Sequence, residues 1–130
     1  MVNPTLLIQQ LNQRERSIEL HGESYRLGRD KNADIPLIHP AISRFHARLV
    51  RRGRRWLLID EQSTNGLWWQ GKRIQELELR DGDHIALAPA SEPDAPQLNF
   101  RHSSDRDQQK WAHRIGLVIA AALTAGSGLL

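Results

Sequence analysis

Ala47-Arg48-Leu49-Val50-Arg51-Arg52-Gly53-Arg54-Arg55-Trp56-Leu57-Leu58-Ile59 shows the rhythm of the chain most plainly. Two short apolar-rich runs, Ala47 to Val50 and Trp56 to Ile59, flank a glycine-centred basic turn, which is the pattern of two strands joined in a hairpin. The same rhythm continues outward in both directions. Toward the C-terminus, Glu61 to Asn65 is a polar loop and Leu67-Trp68-Trp69 a strand ended by Gln70-Gly71. Leu77-Glu78-Leu79 and His84-Ile85-Ala86-Leu87 flank Asp81-Gly82, which reads as a second hairpin turn. Ala88 to Pro96 carries Pro89, Pro93 and Pro96 and reads as a surface loop before a last strand at Leu98-Asn99-Phe100.

Toward the N-terminus, Gly28 to Arg44 contains Gly28, Asn32, Asp34, Pro36 and Pro40, so it reads as loops with a brief strand near Ile35. Ser24 to Leu27 and the alternating Ser17-Ile18-Glu19-Leu20 lie either side of His21-Gly22-Glu23 and read as a hairpin. Leu6 to Leu11 is a further apolar-rich run. Many short strands at regular spacing, with no convincing helix before residue 102, predict an all-β sandwich or barrel. A polar stretch over 103–110 reads as a linker. Residues 111–130 form a third part, with an uncharged apolar run from Ile115 to Leu130 expected to be helical.

Bulk properties narrow the chemistry. The 130 residues suit one compact domain with a short appendage, and the chain has no cysteine, so disulfides and Cys-type zinc sites are excluded. The six histidines fall at no metal-ligand spacing with carboxylates. Neither a nucleophile elbow nor a Walker-type phosphate loop occurs. No catalytic residue, metal or cofactor is therefore expected. A net charge of +3 points toward anionic partners without choosing among nucleic acid, acidic lipid and phosphopeptide.

Four short pieces narrow that choice: Leu27-Gly28-Arg29, Ser43-Arg44-Phe45-His46-Ala47, Ser63-Thr64-Asn65-Gly66 and Leu79-Arg80-Asp81-Gly82-Asp83-His84-Ile85. In this order and spacing they resemble the forkhead-associated (FHA) domain family, over roughly residues 5 to 101. The resemblance implies an FHA-like domain over residues 1–102. It implies a two-sheet sandwich of eleven strands whose loops at one end bind a phosphothreonine peptide, and no enzymatic activity.

The residue types fit that chemistry independently. A phosphothreonine carries about −1.5 to −2 charges and three acceptor oxygens. Arg29 offers a planar fork that meets phosphate bidentately, which a lysine does not. Ser43 can donate its hydroxyl to another phosphate oxygen, and Arg44 can add a second cation. Asn65, with a donor and an acceptor, can pair with the main chain of the ligand, with Thr64 as a helper. His46 is expected to support the loops rather than touch phosphate, as the resemblance implies. Gly28 and Gly66 are expected to be backbone requirements, by close approach or positive φ. The chain departs from the family pattern after Asn65-Gly66, where Leu67 stands in place of a common threonine and Trp68-Trp69 is bulky. That departure bears on the neighbouring ligand subsite.

Two further expectations concern the rest of the chain. The alternative to phosphopeptide reading is a basic β-domain that binds nucleic acid through the arginines of the turn, Arg51, Arg52, Arg54 and Arg55, or a partner without phosphate dependence; the plainer account of those arginines is a solvated hairpin tip. No nucleic-acid partner is expected under the FHA reading. Ile115 to Leu130 is apolar enough for a membrane, though short against the ~20 residues of a span, and His113-Arg114 sits on its FHA side. The expectation is a membrane anchor with the FHA part in the cytoplasm, where the N-terminus, which does not read as a signal peptide, would leave it; the plainer account is a helix packed on the sandwich.

Overall fold

The computed structural model describes residues 2–103. They form eleven strands: β1 (Thr5–Gln9), β2 (Arg16–Glu19), β3 (Ser24–Gly28), β4 (Ile35–Pro36), β5 (Ala47–Arg52), β6 (Arg55–Asp60), β7 (Leu67–Trp69), β8 (Lys72–Ile74), β9 (Glu76–Leu79), β10 (His84–Ala86) and β11 (Gln97–Arg101). A six-stranded sheet has the order β2-β1-β11-β10-β7-β8, and a five-stranded sheet the order β4-β3-β5-β6-β9. The pairing is antiparallel except for the short parallel contact of β3 with β4. The expected two-sheet sandwich is the fold. The helical segment expected over 111–130 lies outside the described residues, as does nearly all of the linker over 103–110.

Alternation builds the core. In β1 and β11 alternate side chains are buried, so Leu6 and Ile8 face inward opposite Phe100 and Leu98. From the other sheet Leu27, Leu49 and Leu58 meet them in one apolar cluster. Each such side chain contributes about 1.5–3 kcal/mol relative to exposure. No disulfide is needed for a core of this size.

Two connections differ from the sequence reading. His21-Gly22-Glu23 is not a hairpin turn: β2 pairs with β1 in one sheet, while β3 pairs with β4 and β5 in the other. Gly22 is not among the positive-φ glycines, which a two-residue I′ or II′ turn would favour here. The segment instead crosses between layers, anchored by Leu20 N–H to Pro4 C=O (2.9 Å), Gly22 N–H to the Tyr25 hydroxyl (2.6 Å) and Arg51 N–H to Glu23 C=O (2.7 Å). Asp81-Gly82 is likewise a crossing, because β9 pairs with β6 and β10 with β11 and β7. Gly82 has φ 90°, and the Asp83 carboxylate accepts from Arg80 N–H at 2.8 Å, so a tight turn does form there, but its flanking strands part. Two alternating strands around a turn look the same in sequence whether they share a sheet or face each other across the core.

β8 has no counterpart in the sequence reading. Its residues are polar or only half-buried, so no apolar period marks them. The cue was Gln70-Gly71, with φ 51° and 76°, the paired positive values of a I′ hairpin turn rather than a strand end.

Register sorts the connections into two ends. Leu27 stands opposite Ala47, and Ala47 opposite Asp60, so the segments 29–46 and 61–66 gather at one end. β5 then runs to Arg52 opposite Arg55 at the other end, where Trp56 opposite Leu79 also brings Arg80.

Candidate functional site

The end that gathers 29–46 and 61–66 is bound together chiefly by backbone groups. Arg29 N–H donates to Ser43 C=O (3.0 Å), Asp30 N–H to Arg44 C=O (3.1 Å) and His46 N–H to Leu27 C=O (2.8 Å). This close pairing explains Gly28: a Cβ there would lie 2.1 Å from the Arg44 carbonyl oxygen, which is backbone and has no room to yield. Close approach is thus the reason for Gly28. For Gly66 both reasons hold, since φ is 84° and a Cβ would meet the Arg73 guanidinium at 2.4 Å.

His46 is the pivot. It is fully buried, its Nδ1 faces Ser43 N–H at 3.1 Å, and its Nε2 faces Gly66 C=O at 2.8 Å. Nδ1 meets a donor and Nε2 an acceptor, so the geometry demands the neutral tautomer with the proton on Nε2. Burial pushes the imidazole below its ordinary range, against the raising influence of the Gly66 carbonyl. One ring therefore ties the 37–46 loop to the 61–66 loop, and His46 makes no contact with solvent.

The 61–66 loop is ordered from within. Ser63 Oγ makes a short hydrogen bond to Asp60 and accepts from Gly66 N–H at 2.9 Å. Arg73, on β8, donates to the carbonyls of Ser63 (3.1 Å) and Thr64 (3.4 Å). Asp60, Ser63 and Arg73 are the supports that sequence reasoning missed. Ser63 lay in a quoted motif without a role. Arg73 was invisible because β8 itself was.

The expected ligand-facing residues stand on this frame. Arg29 is exposed, and its Nε donates to Ile42 C=O at 3.0 Å, which fixes the plane of the guanidinium while its terminal nitrogens have no partner among the described residues. Ser43 Oγ accepts from Thr64 N–H at 3.0 Å, so the hydroxyl proton is directed elsewhere. Thr64 is exposed. Asn65 Nδ2 donates to Ala41 C=O at 2.8 Å, leaving its Oδ1 as the free group. Arg29, Ser43, Thr64 and Asn65 are thus brought together.

Arg44 differs from the expectation of a free second cation. Its Nε (3.2 Å) and Nη2 (2.7 Å) both rest on one oxygen of Asp30, and that hydrogen bond, then the Asn32 N–H, holds the Asp30 carboxyl below its usual range. Arg44 is still largely exposed, so its charge reaches the pocket in screened form.

The departure at 67–69 is also explained. Leu67 is fully buried in the core, and Trp68 donates its indole N–H to Asn65 C=O at 2.7 Å. Trp68 thus braces the loop, while Trp69 packs against the core.

A family model described as the FHA domain matches residues 25–88. The crystal structure of the FHA-1 domain of Mycobacterium tuberculosis Rv1747 is 32% identical, over 77% of this chain and 97% of that one, with a TM-score of 0.60. This chain belongs to the FHA domain family. The FHA fold is a non-catalytic one. In the whole Rv1747 protein, an ABC transporter ATP-binding/permease protein, the FHA match is 33% identical over 78% of this chain but only 12% of the relative. M. tuberculosis EmbR, solved in complex with a low affinity phosphopeptide, is 29% identical with a TM-score of 0.63, covering 77% of this chain and 25% of that one. An FHA domain solved for its phosphothreonine-dependent interactions is 28% identical with a TM-score of 0.64, covering 77% of this chain and 98% of that one. The FHA unit described here thus spans a small part of its longer relatives.

Proposed function

We propose that this FHA domain recognises phosphothreonine in partner proteins through Arg29, Ser43, Thr64 and Asn65, for signalling or assembly. The observation that carries the reading is Arg29: its Nε is held by Ile42 C=O, and its terminal nitrogens have no partner among the described residues, beside a serine hydroxyl whose lone pair is already engaged. A planar cation held in this way matches two phosphate oxygens, each charge-assisted bond contributing about 1.5–3 kcal/mol. Ser43 donates to a third oxygen. Asn65 Oδ1 accepts from a main-chain N–H of the peptide, and Arg44 adds field rather than contact. The phosphopeptide complex of EmbR supports the ligand class.

In the same reading the FHA part faces the cytoplasm, where threonine kinases and ATP are, and Ile115 to Leu130 attaches it to a membrane. Among the described residues no helix is long and apolar enough to cross one.

Calorimetric titration against a degenerate phosphothreonine peptide library tests the central claim. Binding should be roughly micromolar for a suitable sequence, about −8 kcal/mol. Equal binding of the unphosphorylated pool would overturn it.

A further inference from the structure

The end of the sandwich opposite the phosphothreonine loops collects positive charge that nothing above uses. β5 and β6 meet there in a two-residue turn, Gly53-Arg54, with Gly53 at φ 64°. Arg52 stands directly opposite Arg55, an arrangement of like charges that weakens a strand pair. Trp56 pairs with Leu79, the last residue of β9, so Arg80 follows at the same end as Arg55. Arg52, Arg54 and Arg80 are exposed and have no ion-pair partner among the described residues. Arg55 has only Glu78 at 3.9 Å, a loose contact in water. Two nearby carboxylates reduce the charge of this end without pairing with the row: Asp81 accepts from His102 N–H at 2.9 Å and Asp83 from Arg80 N–H at 2.8 Å.

We propose that this arginine end docks on an anionic phospholipid surface, with the phosphothreonine loops facing away from it. Two observations favour lipid over nucleic acid. The chain leaves the sandwich at this end, because His102 is hydrogen-bonded to the loop that carries Arg80, and the sequence onward contains the uncharged run Ile115 to Leu130. Among the described residues no exposed aromatic ring lies beside the arginine row for bases to stack on, since Trp56 is 3% exposed and the half-buried Tyr25 packs on it. The inference draws on the membrane attachment proposed above for its orientation, and on the arginines alone for its anion requirement. Each arginine near such a surface adds about tenfold or less to partitioning, and the effect fades within a Debye length.

The test uses the full 130-residue chain. Sedimentation is measured with vesicles of neutral phosphatidylcholine and with vesicles containing phosphatidylserine, at low and high salt, beside R52A/R54A. The intact chain should prefer the anionic vesicles, the preference should fall with salt, and R52A/R54A should lower it roughly thirty-fold. Phosphopeptide affinity of R52A/R54A should stay unchanged, so failure here is distinguishable from failure of the phosphothreonine reading. Equal binding to both vesicle types, or an anionic preference that R52A/R54A retains, overturns the proposal. So does arginine-dependent binding to RNA or duplex DNA without any lipid preference.

Discussion

Arginine is used in two different ways at the two ends of this sandwich. At the loop end Arg29 is held by its own Nε on Ile42 C=O, within loops cross-tied by His46, Ser63, Asn65 and Arg73. At the hairpin end Arg52 and Arg54 project from a turn and touch no carboxylate among the described residues. A fixed guanidinium has surrendered its rotamer entropy before a ligand arrives and can demand a geometry. An unfixed one keeps that entropy and contributes only field. The first arrangement suits one phosphate on one peptide; the second suits a surface of many charges.

The largest expected effect breaks the comparison at its strong side. Arg29→Ala should weaken phosphothreonine peptide binding at least a hundredfold, the loss of two charge-assisted bonds at about 1.5–3 kcal/mol each, with the fold intact and only about 1 kcal/mol of stability lost with the bond to Ile42 C=O. A calorimetric Kd near that of the parent would show that the fixed fork is not the reader.

Next comes the frame that fixes it. His46→Ala leaves Ser43 N–H and Gly66 C=O without their partner in a buried place, so unfolding stability should fall by about 2–4 kcal/mol in denaturant titration. The pH dependence follows from the lowered folded-state pKa. The unfolded chain takes up the imidazole proton first, near pH 6.5, so this contribution is complete above that value and is lost as pH falls below it toward the folded-state pKa. Stability of the parent should therefore decline from about pH 6.5 downward, and His46→Ala should flatten that part of the curve. Equal destabilisation by Arg29→Ala and His46→Ala would erase the division between reader and frame.

A lysine at each end sets one large effect against the smallest one. Arg29→Lys keeps the charge but loses the fork and should bind phosphopeptide almost as poorly as Arg29→Ala. The double change R52K/R54K should leave anionic vesicle binding within about twofold, because a diffuse field counts charge and not shape. Loss of vesicle binding in R52K/R54K would mean that the hairpin end, too, is a geometric site.

Much of this protein was legible in sequence because local rules govern it. Period-two alternation marks strands such as β1 and β11, turn residues mark their ends, and Gly28, Arg29, Ser43 and Asn65 were singled out through the resemblance of their motifs to the FHA family. Strand partners were not legible at His21-Gly22-Glu23 or at Asp81-Gly82. Alternation says which side of a strand is buried, but the same pattern serves two strands in one sheet or in facing sheets. Only the packed core chooses. The pairing of Arg44 with Asp30, the anchoring of Asn65 on Ala41 and the grip of Arg73 on the 61–66 loop were hidden for a related reason. Each joins residues from different segments, and a hydrogen bond across a fold has no period in the chain. Residue patterns alone fixed an all-β domain of short strands, sandwich or barrel, and the resemblance to the FHA family added the two sheets and the groups expected to meet a phosphate. The tertiary structure decided which of those groups are free to meet it, because a donor engaged by a neighbouring backbone carbonyl or carboxylate is no longer offered to a ligand.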